Sequence, residues 1–232
     1  MKLYIVMPVI NCLDFTQKAI ESLKASIPFK VILIDQDSND GTQAWAESNP
    51  DIIYIRNSPK IALAAAWNQG TLRAFEDPEC QYVAIVNNDV IFHQKTFDHL
   101  MAFMDKTGYL LVSADNVRDR MGVDVMKQME LPMPFTDYDC WPIEGWRAEG
   151  PDFSCYMISR DTVRVVGYFD ENFHGAYCED QDYHVRIDRA RSARKKHRRR
   201  RKMIDEQCSC HRSVRLPEAC AHRNHASFAD SS

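Results

Sequence analysis

The stretch from Gly167 to Arg186, GYFDENFHGAYCEDQDYHVR, gathers Asp170, Glu171, Glu179, Asp180 and Asp182 among five aromatic rings, with Arg186 as its one fixed positive charge. A carboxylate set against apolar rings is partly desolvated, which raises its affinity for a proton and suits it to take one from an attacking hydroxyl. A plainer role also fits Glu179 and Asp180, because negative charge is stabilised where a helix begins. Two more acidic clusters follow apolar runs: Asp35-Gln36-Asp37-Ser38-Asn39-Asp40-Gly41-Thr42 after KVILI, and Asn87-Asn88-Asp89 after QYVAIV. Oxygen ligands of this kind suit a hard divalent cation, commonly held by one or two carboxylates together with substrate phosphates. Asp89 is the best-placed ligand, and a cation there would neutralise charge developing on a departing diphosphate. The 35–42 cluster reads equally as a turn plus a helix cap, since Asp, Ser, Asn and Gly are the residues turns use.

Elements must bring these positions together. LYIVMPVI, KVILID, DIIYI, QYVAIV and SCYMIS have the length and composition of buried strands, whereas DFTQKAIESLKAS and IALAAAWNQGTLRAF carry helical spacing. Asp14 with Gln17 three residues later reads as a helix start. Strands alternating with helices imply an α/β domain whose mostly parallel sheet is covered on both faces, with ligands at the carboxyl ends of the strands. Both acidic turns fall at that edge. EDQDYHVRI also has helical spacing, which puts Glu179, Asp182, Tyr183 and Arg186 on one stripe and rotates Asp180 away from it. Between about 114 and 152 no period dominates, and four prolines stand among Phe135, Tyr138, Trp141 and Trp146, the composition of a lid or binding loop.

VMPVINCLDFTQKAIESL, LIDQDSNDGT, IALAAAWNQG, IVNNDVIF, DFSCYMISRDTVRVVGYFDENF and CEDQDYHVR, in that order and separation, resemble the family 2 nucleotide-sugar glycosyltransferases of the GT-A fold over about residues 3–187. The resemblance implies a Rossmann-like mixed sheet flanked by helices. It also implies inverting transfer of a sugar from a nucleoside-diphosphate donor, a UDP- or TDP-sugar, to a hydroxyl acceptor on a glycan or glycolipid, with Mn or Mg. On that resemblance Pro8, Val9, Asp35, Asp37 and Asp40 would hold the nucleobase and ribose. Asn88 and Asp89 would lie in the metal-binding triplet, where Asn87 replaces the first acid and leaves Asp89 as the main ligand. Asp180 would be the general base, with Glu179 beside it. Asn68 stands either near the donor or as a polar contact of its own helix. Asp182 either pairs with Arg186 or touches the acceptor. Trp141 and Trp146 either stack on a sugar ring or pack over the core. A sugar nucleotidyltransferase would need a glycine-rich, lysine-bearing phosphate loop near the start, and PVINCLDF has none.

Charge divides the chain. Residues 1–185 carry 28 acidic against 15 basic residues, and 186–232 carry 5 against 14. The reading is therefore one domain over 1–187 with a basic, disordered, low-complexity tail over 188–232. Its run RARSARKKHRRRRK could contact nucleic acid or an anionic membrane surface through 188–202, the alternative function from another class. The opening MKLYIVMPVI reads as a first strand and not as a signal peptide, and eight scattered cysteines read as reduced thiols, so the expected address is cytoplasmic, with peripheral contact at the inner membrane face.

Overall fold

The structure, a computed structural model, describes residues 1–114, 153–173 and 178–194. The aromatic stretch with Trp141 and Trp146, and the basic run from 195 onward, lie outside the described residues. The chain divides into two compact units, Met1–Ala190 and Arg191–Ser232. Of the second unit only residues 191–194 are described, and they are helical.

In the first unit the order is β1 (Lys2–Val9), α1 (Leu13–Ser22), β2 (Phe29–Asp35), α2 (Thr42–Glu47), β3 (Ile52–Arg56), α3 (Leu63–Phe75), β4 (Cys80–Val86), α4 (Thr96–Thr107) and β5 (Leu111–Ser113). After the gap come β6 (Cys155–Ser159) and α5 (Arg160–Val166). A last helix, α6, begins at 179 and runs through the end of this unit. The six strands form one sheet in the order β3-β2-β1-β4-β6-β5. β1, β2, β3 and β4 are parallel, and β6 runs antiparallel to both β4 and β5. This is the α/β, mostly parallel sheet expected from the sequence.

Alternation along β1 makes both layers. Leu3, Ile5, Met7 and Val9 enter the core that includes Ala19 and Leu23 of the α1 side and Phe97, Leu100, Met101 and Met104 of α4. Tyr4 and Val6 enter the opposite core with Ala64, Ala66, Trp67 and Ala74 of α3 and with Tyr156, Phe169, Tyr183 and Ile187. On that side α3 approaches β1 closely enough that a Cβ on Gly70 would lie 2.3 Å from Val6 Cγ1. Glycine is required there for closeness, not for an unusual backbone angle.

The order of strand use reverses between β1 and β4, and the crevice outside their carboxyl ends is where an open α/β sheet receives a ligand. Ser113 at the end of β5 pairs with Tyr156 near the start of β6. The 115–152 stretch therefore leaves and rejoins the described fold at that same edge. No helix among the described residues is long and apolar enough to cross a membrane.

One helix start differs from expectation. α1 begins at Leu13, behind Cys12 in a left-handed conformation (φ 59) that gives no side-chain cap. Asp14 lies inside the first turn. The exposed Leu13 N–H instead donates to Asp40 Oδ2 at 2.8 Å, so the cap comes from the next loop along the edge.

Candidate active site

The carboxyl ends of β1 and β2 are laced into one surface. Asn11 N–H donates to Ser38 Oγ at 2.7 Å, and Asn39 N–H donates back to Asn11 Oδ1 at 2.9 Å. Gln36 N–H donates to the Val9 carbonyl at 2.8 Å. Asp40 joins two helix starts, because its Oδ1 also accepts from Thr42 Oγ1 at 2.6 Å and from Thr42 N–H at 3.2 Å. Desolvation pushes the Asp40 carboxyl up, and the hydrogen bonds from Thr42 and Leu13 outweigh it and hold the group below its ordinary value. A depression of about 310 Å³ lies beside this junction, lined by Cys12, Leu13, Asp14, Phe15 and Asp40.

Asp35 is fully buried. Its Oδ1 accepts from Ser38 N–H at 2.9 Å, and its Oδ2 accepts from Tyr54 Oη at 2.5 Å and from Arg56 Nη1 at 2.6 Å. Burial alone would raise this carboxyl. The bonds from Ser38 and Tyr54, with the Arg56 charge, bring it below the usual carboxylate range. Tyr54 is pushed up to about 12, first by burial and then by its bond to Asp35, so it remains a donor. Arg56 also donates to the Ser38 carbonyl at 3.0 Å and to Asp37 Oδ1 at 2.9 Å. Asp37 takes a left-handed conformation (φ 69), which Asp tolerates better than most residues. Asp35 thus organises its loop, and Asp37 and Asp40 stand exposed on it. Pro8 is half-buried and Val9 buried one strand away.

At the end of β4, Asn87 N–H donates to the Ser154 carbonyl at 2.9 Å and so extends the antiparallel pairing with β6. Asn88 Nδ2 donates to Thr16 Oγ1 at 3.0 Å, which ties the turn to α1. Asp89 is exposed and, among the described residues, takes no hydrogen bond or ion pair. No cluster of three or more His, Cys, Asp or Glu side chains suited to a metal occurs among the described residues. One free carboxylate flanked by amide side chains nevertheless fits a Mg- or Mn-type ion, provided that phosphate oxygens complete its shell.

The acidic pair stands on the other side of β4. Along α6, Glu179, Tyr183 and Ile187 recur every fourth residue and are 4 %, 0 % and 2 % exposed. Asp180, one position round, is half-buried. Among the described residues its Oδ1 accepts from the neighbouring Gln181 N–H alone, at 2.7 Å. Two aromatic rings of the opening stretch, Phe169 and Tyr183, join rings of α3 and β6 here. Phe169 stacks on Tyr183 at 4.0 Å between centroids, Trp67 packs against Phe169 at 4.9 Å, and Tyr156 meets Phe153 at 4.7 Å.

Two residues for which the sequence left alternatives open make internal contacts here. Asn68, 3 % exposed on α3, donates from Nδ2 to the Phe169 carbonyl at 2.9 Å and to Glu171 Oε1 at 2.8 Å, and its Oδ1 accepts from Phe169 N–H at 2.9 Å. Asp182 Oδ2 accepts from Arg186 Nε at 2.7 Å. Arg186 Nη1 also donates to the Tyr168 carbonyl at 2.8 Å, and its guanidinium lies over the Tyr183 ring. Both residues lock the 166–171 segment, Asn68 to α3 and Arg186 to α6. The sequence reading missed Tyr54, Arg56 and Thr16. Arg56 carried a legible signal: a lone arginine closing the apolar strand IIYIR, which the parallel register places opposite Asp35.

The family model for glycosyl transferase family 2 matches residues 4–167. A low-salt glycan biosynthesis hexosyltransferase, Agl10 of Haloferax volcanii, is 23 % identical over 160 residues, covering 64 % of this chain and 50 % of that protein. Among solved structures, the mannosyltransferase PcManGT from Pyrobaculum calidifontis, in complex with GDP-Man and Mn2+, superposes with a TM-score of 0.58 at 17 % identity, over 80 % of this chain and 51 % of that one. S. aureus TarS 1-349 in complex with UDP-GlcNAc gives 0.54 at 17 % identity, over 81 % and 53 %. The chain spans about half the length of these relatives.

Proposed function

From the premise that this chain belongs to glycosyl transferase family 2, we propose that it transfers a hexosyl-type sugar from a nucleoside-diphosphate donor to a hydroxyl acceptor, with inversion at the anomeric carbon. The observation that carries the reading is the sorting of carboxylates around the β1/β4 crevice. Asp35 and Asp40 are each engaged by several internal donors, whereas among the described residues Asp89 after β4 has none and Asp180 on α6 has only the adjacent Gln181 N–H. The nucleoside lies over the ends of β1 and β2, against Pro8, Val9 and the exposed Asp37 and Asp40, on a loop that Asp35 holds in shape. The diphosphate extends to the end of β4. Asp89, with Asn88 beside it, would hold Mn or Mg there, and the ion when bound supplies charge neutralisation for the leaving diphosphate.

Asp180 takes the proton of the acceptor hydroxyl as that oxygen bonds the anomeric carbon. The bond from that carbon to the diphosphate oxygen breaks, and its electron pair leaves on the diphosphate. Attack from the face opposite the leaving group inverts the centre. The aromatic layer under α6 keeps water from the inner side of the pair, so the proton passes in a partly dry site.

Titration calorimetry with UDP, TDP and GDP, with and without Mn, tests the reading. One nucleotide should bind in a metal-dependent way, and Asp89→Ala should remove the metal dependence. Asp180→Asn should bind that nucleotide normally and fail to release it from the matching sugar donor. Metal-dependent binding that survives Asp89→Ala would refute the metal assignment, and normal turnover by Asp180→Asn would refute the base.

A further inference from the structure

We propose that Tyr156 is a positioning residue for the acidic pair: its hydroxyl donates a hydrogen bond to the inward Glu179 carboxylate and so fixes the direction in which Asp180 points. This rests on the reading of Asp180 as the base. The helical phase supplies the first part of the argument. Glu179 is one turn before Tyr183 on the buried stripe of α6, where an apolar residue would be expected, and it is 4 % exposed. Tyr183 stacks on Phe169, and Phe169 packs at 6.0 Å against Tyr156, which is fully buried on β6. Glu179 and Tyr156 therefore belong to the same dry layer, one entering it from the helix and the other from the sheet.

Both are left unsatisfied. Among the described residues Tyr156 Oη and Glu179 Oε2 are buried without a hydrogen-bond partner. An orphaned buried polar group is destabilising, and native structures hold few of them. A hydroxyl donor lacking an acceptor and a carboxylate oxygen lacking a donor complement each other. Rotation about the Glu179 side-chain torsions is the movement that joins them. Tyr156 is suited to be the donor, because burial first, and then the neighbouring Tyr183, Asp180 and Glu179, push its hydroxyl well above its usual range and keep it protonated.

The consequence for chemistry is geometric. Glu179 and Asp180 share one peptide link at the first turn of α6, so a bond that fixes Glu179 also fixes the backbone from which Asp180 projects. A misplaced base costs rate and leaves donor affinity alone.

The test is a double-substitution cycle with Tyr156→Phe and Glu179→Gln. Tyr156→Phe keeps the ring and its packing. Nucleotide release from UDP-GlcNAc and GDP-mannose is followed together with UDP and GDP affinity and the thermal midpoint. Each single variant should lower kcat about tenfold, with KM for the donor and nucleotide affinity within about twofold of the original protein. The double variant should be no slower than the slower single. A Tyr156→Phe protein with unchanged kcat, or losses that multiply in the double variant, would overturn the proposal. If the unsubstituted protein releases nucleotide from neither donor, the donor choice or the transferase reading is what fails, and not the pair. The midpoint shifts then decide the pair: additive shifts overturn the Tyr156–Glu179 bond and non-additive ones uphold it.

Discussion

Replacing Arg56 by Leu removes the positive charge that, among the described residues, pairs with the fully buried Asp35. The Arg56 side chain is itself 27 % exposed, so its own desolvation is modest, while the carboxylate it serves has no access to water. In the variant Asp35 keeps the Tyr54 hydroxyl and the Ser38 N–H but loses the 2.6 Å bond from the guanidinium. Breaking a buried pair from one side costs about 3–5 kcal/mol, and the partial exposure of Arg56 argues for the lower end, about 3 kcal/mol. With the Asp37 contact at the surface adding little, the urea midpoint should fall by roughly 1 M or more. The pH dependence identifies the cause. In the original protein Asp35 sits below its ordinary value, so its contribution is complete above about pH 4 and fades only as the pH falls below that. In the variant burial is no longer opposed by the guanidinium, and the carboxyl moves up. The folded variant then takes up a proton at a higher pH than the folded original does, so its deficit should be smaller at about pH 4 than at about pH 7. Urea unfolding of both proteins at the two pH values measures this. A deficit below about 1 kcal/mol at neutral pH, or the same deficit at both, would refute the buried-pair argument.

Two further substitutions test how the crevice is held. Gly70→Ala places a methyl 2.3 Å from Val6 Cγ1 on a strand paired on both sides, so an overpacking cost of about 1–3 kcal/mol should exceed the roughly 1 kcal/mol gained in helix propensity. Thermal unfolding should show a lowered midpoint that Val6→Ala partly restores, and a Gly70→Ala protein as stable as the original would contradict the close approach. Asn68→Leu keeps approximate volume but orphans the Phe169 N–H and carbonyl, with an expected loss of about 2–4 kcal/mol in denaturant unfolding. If the loss is under about 1 kcal/mol, Asn68 does not lock the 166–171 segment.

The sheet was legible because its strands are short apolar runs ended by turn residues, and the helices between them keep one apolar face. The parallel layout follows from that alternation without knowledge of any contact. The site was legible only to the level of which turns reach the edge. What a single sequence does not carry is the partner of each polar group. Asp35 and Asp89 look alike in a string, both closing or following a strand, yet one is enclosed by Tyr54, Arg56 and Ser38 and the other is open. The register that sets Arg56 opposite Asp35 is a property of the β2–β3 pair, not of either segment. The α1 start was misplaced for the same reason. Asp14 and Gln17 satisfy the local capping pattern, but the acceptor that caps Leu13 is Asp40, 27 residues away in the chain.

Partnership, then, and not residue type, separates the carboxylates at this edge. A carboxylate that accepts several short hydrogen bonds has its charge already neutralised and its geometry fixed, so it neither needs a cation nor readily accepts a proton. Asp35 and Asp40 are of this kind and act through the shape of the loop. Among the described residues Asp89 has no such donors, which is why it is the carboxylate proposed for the ion. Asp180, half-buried, has among the described residues one local donor, on Oδ1, and projects from a helix whose inner face is aromatic. Glu179, beside it, turns inward. The helix therefore divides an acidic dipeptide into an outward group suited to proton transfer and an inward one suited to hold it in place. This division follows from 3.6 residues per turn, given that Tyr183 and Ile187 fix which face is buried.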